Sequence, residues 1–146
     1  MKKSSTWLVY LAAIIALAGV VIHVGAVFGG PSWFAFFGAP PRVVASARAG
    51  TWLAPVGALV IATLMMVCAV YAGSALGLVR RVPLQRTTLA AIAAVCLIRA
   101  LILPPLALKH PELWNIFEVT SAIVWFVAGV GFAVGFRVAK TKRINE

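Results

Sequence analysis

Four stretches of this chain are long and apolar enough to cross a bilayer, and nothing else in the sequence limits the fold so strongly. A hydrocarbon core of about 30 Å takes roughly 20 helical residues to span. Residues 7–28, 53–78, 87–108 and 115–137 each meet that requirement. Amides in hydrocarbon must be satisfied within their own segment, so each stretch is expected as a helix. Composition points the same way. Of 146 residues, 63% are hydrophobic and 11% charged, and the mean hydropathy is +1.04; a water-soluble domain of this size would carry that only by exposing large apolar patches. The expected fold is therefore all-α: a polytopic membrane protein forming one transmembrane domain over 1–146, an antiparallel four-transmembrane-helix bundle with an aromatic outer loop between helices 1 and 2.

The first run has some features of a secretory signal, since Lys2 and Lys3 precede it and Val24-Gly25-Ala26 resembles a cleavage site. It is too long for a signal's apolar region, and it is read as the first span. Orientation follows from the basic residues. The N-terminal tail, the connection VRRVPLQR and the end FRVAKTKR carry Lys2, Lys3, Arg80, Arg81, Arg86, Arg137, Lys140, Lys142 and Arg143, whereas the other side carries Arg42, Arg48 and Lys109. By the positive-inside rule both termini are cytoplasmic, in the cytoplasmic (inner) membrane. The net charge of +10 is thus assigned to span ends and anionic membrane lipids, and no nucleic-acid partner is expected.

The connection 29–50, GGPSWFAFFGAPPRVVASARAG, is the one long stretch without a span pattern. Gly29-Gly30-Pro31 and Gly38-Ala39-Pro40-Pro41 bracket Trp33, Phe34, Phe36 and Phe37, so an irregular loop holding its aromatics at the interface or over the outer mouth of the bundle is expected. RVVASAR reads as a short surface helix that keeps Arg42 and Arg48 at headgroup level. Within the spans, small residues recur at three- and four-residue steps. Ala12, Ala16, Gly19, His23 and Ala26 share one face of the first, Ala58, Ala62, Met65, Ala69 and Gly73 one of the second, and Gly131 and Gly135 recur in the fourth.

The residue least expected in these spans is Arg99, in CLIRALILPP. It lies about nine residues, roughly 13 Å, from the outer end of its helix, where an arginine costs about 2.5–3.5 kcal/mol unless it is paired or faces a wet interior. Glu118 supplies an acid. With Pro111 as first position of the fourth helix, it lies roughly 10 Å below the same surface, so Arg99 and Glu118 are expected to pair, with Arg99 facing the bundle interior. His23 is placed in the same outer layer. Pro104 and Pro105 deprive the carbonyls of Ala100 and Leu101 of donors and are expected to bend the helix. Together these features suggest a polar, water-containing pocket open to the outside, walled by Asn115, Ser121 and Trp125 and covered by the loop bearing Trp33.

Redox and metal chemistry find little support. Cys68 and Cys96 form no Cys-x-x-Cys, and His23 and His110 do not make a ligand set of recognisable spacing, so no cofactor and no metal are expected. Lys109, His110 and Glu112 read as a polar turn. Three functional readings follow. The leading one is a binding or carrier protein for a small anionic or lipid-like ligand, with Arg99 as the recognising group and Glu118 and His23 tuning its charge. The second is an accessory or scaffold subunit, in a homo-oligomer or a larger membrane complex, in which the pair is structural. The third is a membrane-embedded enzyme acting on a lipid-like substrate, with Glu118 or His23 as acid or base; no catalytic residue is assigned.

Overall fold

In the computed structural model the backbone of residues 6–144 and the side chains of residues 6–111 and 113–139 are described. Lys2 and Lys3, and the side chains of Glu112, Lys140, Lys142 and Arg143, fall outside them. The described chain is helical, without strands: α1 Thr6–Gly29, α2 Pro31–Phe36, α3 Pro41–Arg48, α4 Leu53–Leu76, α5 Gln85–Leu101, α6 Leu103–Lys109, a 3-10 turn Pro111–Leu113 and α7 Ile116–Ile144. Four segments are long and apolar enough to cross a membrane: Thr6–Gly29, Leu53–Leu76, Gln85–Lys109 and Ile116–Ala139.

Proline starts and glycine stops set the boundaries of the short helices. Pro31 and Pro41 open α2 and α3, where a missing N–H costs nothing. Gly38, Gly50 and Gly77, at φ of 70°, 66° and 81°, follow α2, α3 and α4. At each, the glycine's own amide and the one after it turn back onto the helix, as in Gly77 N–H to the Ser74 carbonyl at 3.1 Å and Leu78 N–H to the Gly73 carbonyl at 2.9 Å. The segment 29–50 is thus two short helices rather than the irregular loop expected, because its Gly and Pro signals delimit helices instead of replacing them. RVVASAR does form a helix within α3. The third span, where a bend was expected, is interrupted at Ile102 between α5 and α6, just before Pro104 and Pro105. Pro111, in contrast, belongs to the separate 3-10 turn, and α7 starts five residues later than a helix begun at Pro111.

By internal contacts the chain falls into two compact units. Of the described residues, one contains 6–15 and 68–144, the other 16–67. In the first, α5 and α6 bury an unbroken stripe of Leu89, Ala93, Cys96, Ala100, Leu103 and Ala107, alternating steps of four and three residues. Against it runs α7 in the opposite chain direction, Gly135 meeting Leu89 and Gly129 meeting Cys96 and Leu97. Gly131 lies so close to the Leu8 carbonyl and Ala12 that any side chain there would collide with α1. The second unit centres on Ala26, Phe34, Ala54 and Ala58, packed by Val27, Val43, Val44 and Ala47. Ser46 closes it: its hydroxyl accepts the Ala54 N–H at 3.1 Å and lies 2.6 Å from the Thr51 hydroxyl.

Both units invert the soluble-protein rule. The buried residues are chiefly Ala and Gly, while Leu17, Val21, Leu64, Ile98 and Ile123 face outward. Where lipid tails are as apolar as leucine, close backbone approach drives packing rather than removal of large side chains from water.

Candidate functional site

Arg99 and Glu118 meet, with Arg99 Nη2 at 3.7 Å from Glu118 Oε2. Their placement differs from the expectation in two respects. Ala100 occupies the buried stripe of α5, and Arg99, one residue earlier, stands on its flank with 47% of its side chain exposed, outside the packed seam with α7. The stripe accepts small residues at that level, and a guanidinium would hold α7 away. Glu118, in turn, is the third residue of α7 and lies about 3 Å from the helix start, shallower than a helix begun at Pro111 would place it. The α5–α7 register puts the Arg99 backbone level with roughly Trp125 or Phe126, so the side chain extends toward the first turn of α7 to reach the acid.

The acid has a second, local reason to be there. Asn115 precedes α7, and its side-chain oxygen accepts the Glu118 N–H at 3.0 Å. Asn-x-x-Glu is the spacing of a helix-start capping box, and a carboxylate in the first turn is favoured by the helix dipole. Asn115, expected on a pocket wall, is therefore the cap that orients the turn bearing Glu118. Ser121 and Trp125 are half-buried further along α7.

His23 and Trp33 belong to the other unit. His23 donates its Nδ1–H to the Gly19 carbonyl at 2.8 Å, one turn back in its own helix, which leaves Nε2 as the second ring nitrogen. Trp33 lays its ring over Gly25 and Gly29 of α1, with Phe37 5.9 Å away between ring centres. These contacts account for both side chains within α1 and α2. Two shallow, open concavities, of about 580 and 160 Å3, lie in this unit as well; neither is lined by Arg99 or Glu118. No set of three or more His, Cys, Asp or Glu side chains that could hold a metal occurs among the described residues.

A second polar centre, not anticipated, sits at the opposite end of α5. Buried Ser74 of α4 uses its whole hydroxyl: it donates to the Arg80 carbonyl at 3.2 Å and accepts from Val82 N–H at 3.3 Å and Gln85 Nε2 at 2.9 Å. Tyr71, one turn earlier, donates to the Pro83 carbonyl at 3.1 Å. The α4–α5 connection is thereby pinned to α4. Just beyond, Arg86 lays its guanidinium 4.9 Å from the Phe136 ring centre, with Nε buried and without a hydrogen-bond partner among the described residues. The sequence did hold a signal for this contact, since Arg86 continues the stripe of Leu89, Ala93 and Cys96 by one step.

Chemically, the Arg99–Glu118 arrangement offers a half-exposed guanidinium beside a carboxylate, on the flank of a span. Compared with known proteins, the chain matches no family model, no curated protein and no solved structure.

Proposed function

We propose that this chain is a small integral protein of the cytoplasmic membrane, an antiparallel four-helix bundle with both termini cytoplasmic, which binds or carries a small anionic or lipid-like ligand through Arg99. The supporting observation is the openness of the ion pair. At 3.7 Å the carboxylate stands beyond hydrogen-bond distance, and nearly half of the arginine side chain is exposed. Such a guanidinium keeps donors in a planar fork that suits a carboxylate or a phosphate. Because the pair flanks a span, the ligand arrives along the bilayer, which favours a lipid-like molecule with an anionic head. Glu118 holds the side chain toward the first turn of α7 and offsets its charge when the site is empty. His23 enters this reading only through its own helix.

The test is thermal unfolding of the full chain in mild detergent, with phosphatidylglycerol and a short-chain carboxylate as separate probes. Stabilisation by either probe, reduced in Arg99→Gln with helicity retained, is the expected result. An equal response in Arg99→Gln would sink the proposal.

A second reading, an accessory or scaffold subunit, is favoured by a different observation. Only 22–28% of each span window is buried, so most of the span surface is free for a larger complex or a second copy. Gentle purification would then bring down a stoichiometric partner; a chain that elutes alone and stays active in ligand binding would exclude it.

A further inference from the structure

The groove between α2 and α3 is distinct from the Arg99 site and stands on its own observations. Ala35 and Ala39 form one side; Pro41, Val44, Ala45 and Arg48 form the other, around an open space of about 580 Å3. The groove is shallow and wide open, which suits the side of an extended chain rather than an enclosed small molecule, and its lining is mainly alanine with one charge. Pro41, Ala45 and Arg48 rise along α3 at steps of four and three, so the guanidinium stands at one end of an alanine-walled trough.

Two facts indicate what fills it. First, residues 16–67 contain no Asp or Glu, and Arg48 has no ion-pair partner among the described residues; its counter-charge must come from outside this unit. Second, α2 and α3 connect the end of one candidate span, Thr6–Gly29, to the start of the next, Leu53–Leu76, which puts the trough at the level of lipid headgroups. The molecule abundant at that level with an apolar chain and a negative head is an anionic phospholipid. We infer that the α2–α3 groove is a binding site for an anionic phospholipid, one acyl chain lying along Ala35, Ala39 and Ala45 and the phosphate resting on Arg48. Arg42, exposed on the same helix but outside the lining, sees the same membrane surface without the groove.

That difference makes the test specific. The full chain, purified from micelles containing equal phosphatidylglycerol and phosphatidylcholine, is examined by native mass spectrometry for retained lipid, and each variant is compared in the unaltered and Arg99→Gln backgrounds so that lipid held at Arg99 is counted separately. Expected is preferential retention of phosphatidylglycerol. Arg48→Gln should lower the ratio of the two lipids about fivefold, the scale of one basic residue at an anionic surface, while Arg42→Gln changes it less than about twofold. Ala45→Phe, filling the trough, should abolish one retained lipid in both backgrounds; Ala39→Leu fills it from the other wall if circular dichroism shows the first variant misfolded. Equal losses in Arg42→Gln and Arg48→Gln would mean diffuse attraction and overturn the site. So would undiminished retention in the filled variants, or equal retention of the two lipids by the unaltered chain.

Discussion

Two arginines enter the contact between α5 and α7, one near each end, and they are accommodated by opposite means. Arg86 continues the buried stripe and lies over an aromatic ring, so its charge is met by a π face and its Nε has no hydrogen-bond partner among the described residues. Arg99 stands one residue off the stripe and is met by a carboxylate from the first turn of α7, with much of its length exposed. The difference shows what the seam tolerates. Where α5 packs Ala93, Cys96 and Ala100 against α7, there is no room for a long polar side chain in line. At the end of the helix there is room, and a large ring can serve as the floor.

The widest break in this comparison would come from the middle of the seam, on which both ends depend. A β-carbon at Gly129 would come to 2.8 Å from Leu97 Cγ and 3.2 Å from Cys96 Cβ, so Gly129→Leu should cost about 3 kcal/mol, the upper range for overpacking. Unfolding in mixed micelles with increasing SDS, followed by far-UV circular dichroism, measures it; a cost under about 0.5 kcal/mol would mean that the helices part there without penalty. Next in size is Phe136→Ala, expected to lose about 2 kcal/mol for a half-buried ring that also faces a cation, while Phe136→Leu should retain most of the packing and isolate a cation–π part of about 1 kcal/mol.

Glu118→Gln should cost less, about 1 kcal/mol, because the pair is loose and partly exposed. Raising the salt concentration should shrink that cost if the pair meets water and leave it unchanged if it lies in lipid, which sharpens the contrast with Arg86. The smallest effect expected is a gain. Leu84, at φ 54°, occupies a left-handed conformation just before α5, and Leu84→Gly should stabilise the chain by up to about 1 kcal/mol, read in the same assay. No change there would show that the strain is offset by contacts of the exposed leucine.

Parts of this arrangement were legible in the sequence. The partnership of Arg99 with Glu118 follows from scarcity, since the chain holds three acids and only Glu118 lies within a span. The stripe from Arg86 through Leu89, Ala93, Cys96 and Ala100 is equally present in the spacing, and it would have put Arg99 on the flank; hydropathy hid it, because Ala and Leu both count as apolar while only one admits a close neighbour. Asn115-x-x-Glu118 marks the start of α7, whereas Pro111 belongs to a separate turn. The segment 29–50 was harder to read, since the same Gly and Pro residues that end helices also make loops.

By itself the sequence determined the number of spans, their approximate limits and the identity of the one acid available to a mid-span arginine. Those depend on composition over about 20 residues and on the cost of charge in hydrocarbon, both of which act locally. Only the tertiary structure decided which face each helix buries, and with it that Arg99 stands open while Ser74 saturates its hydroxyl on the α4–α5 connection. These are outcomes of fit between residues far apart in the chain. Side-chain size against a facing backbone settles them, and a linear pattern of polarity does not record it.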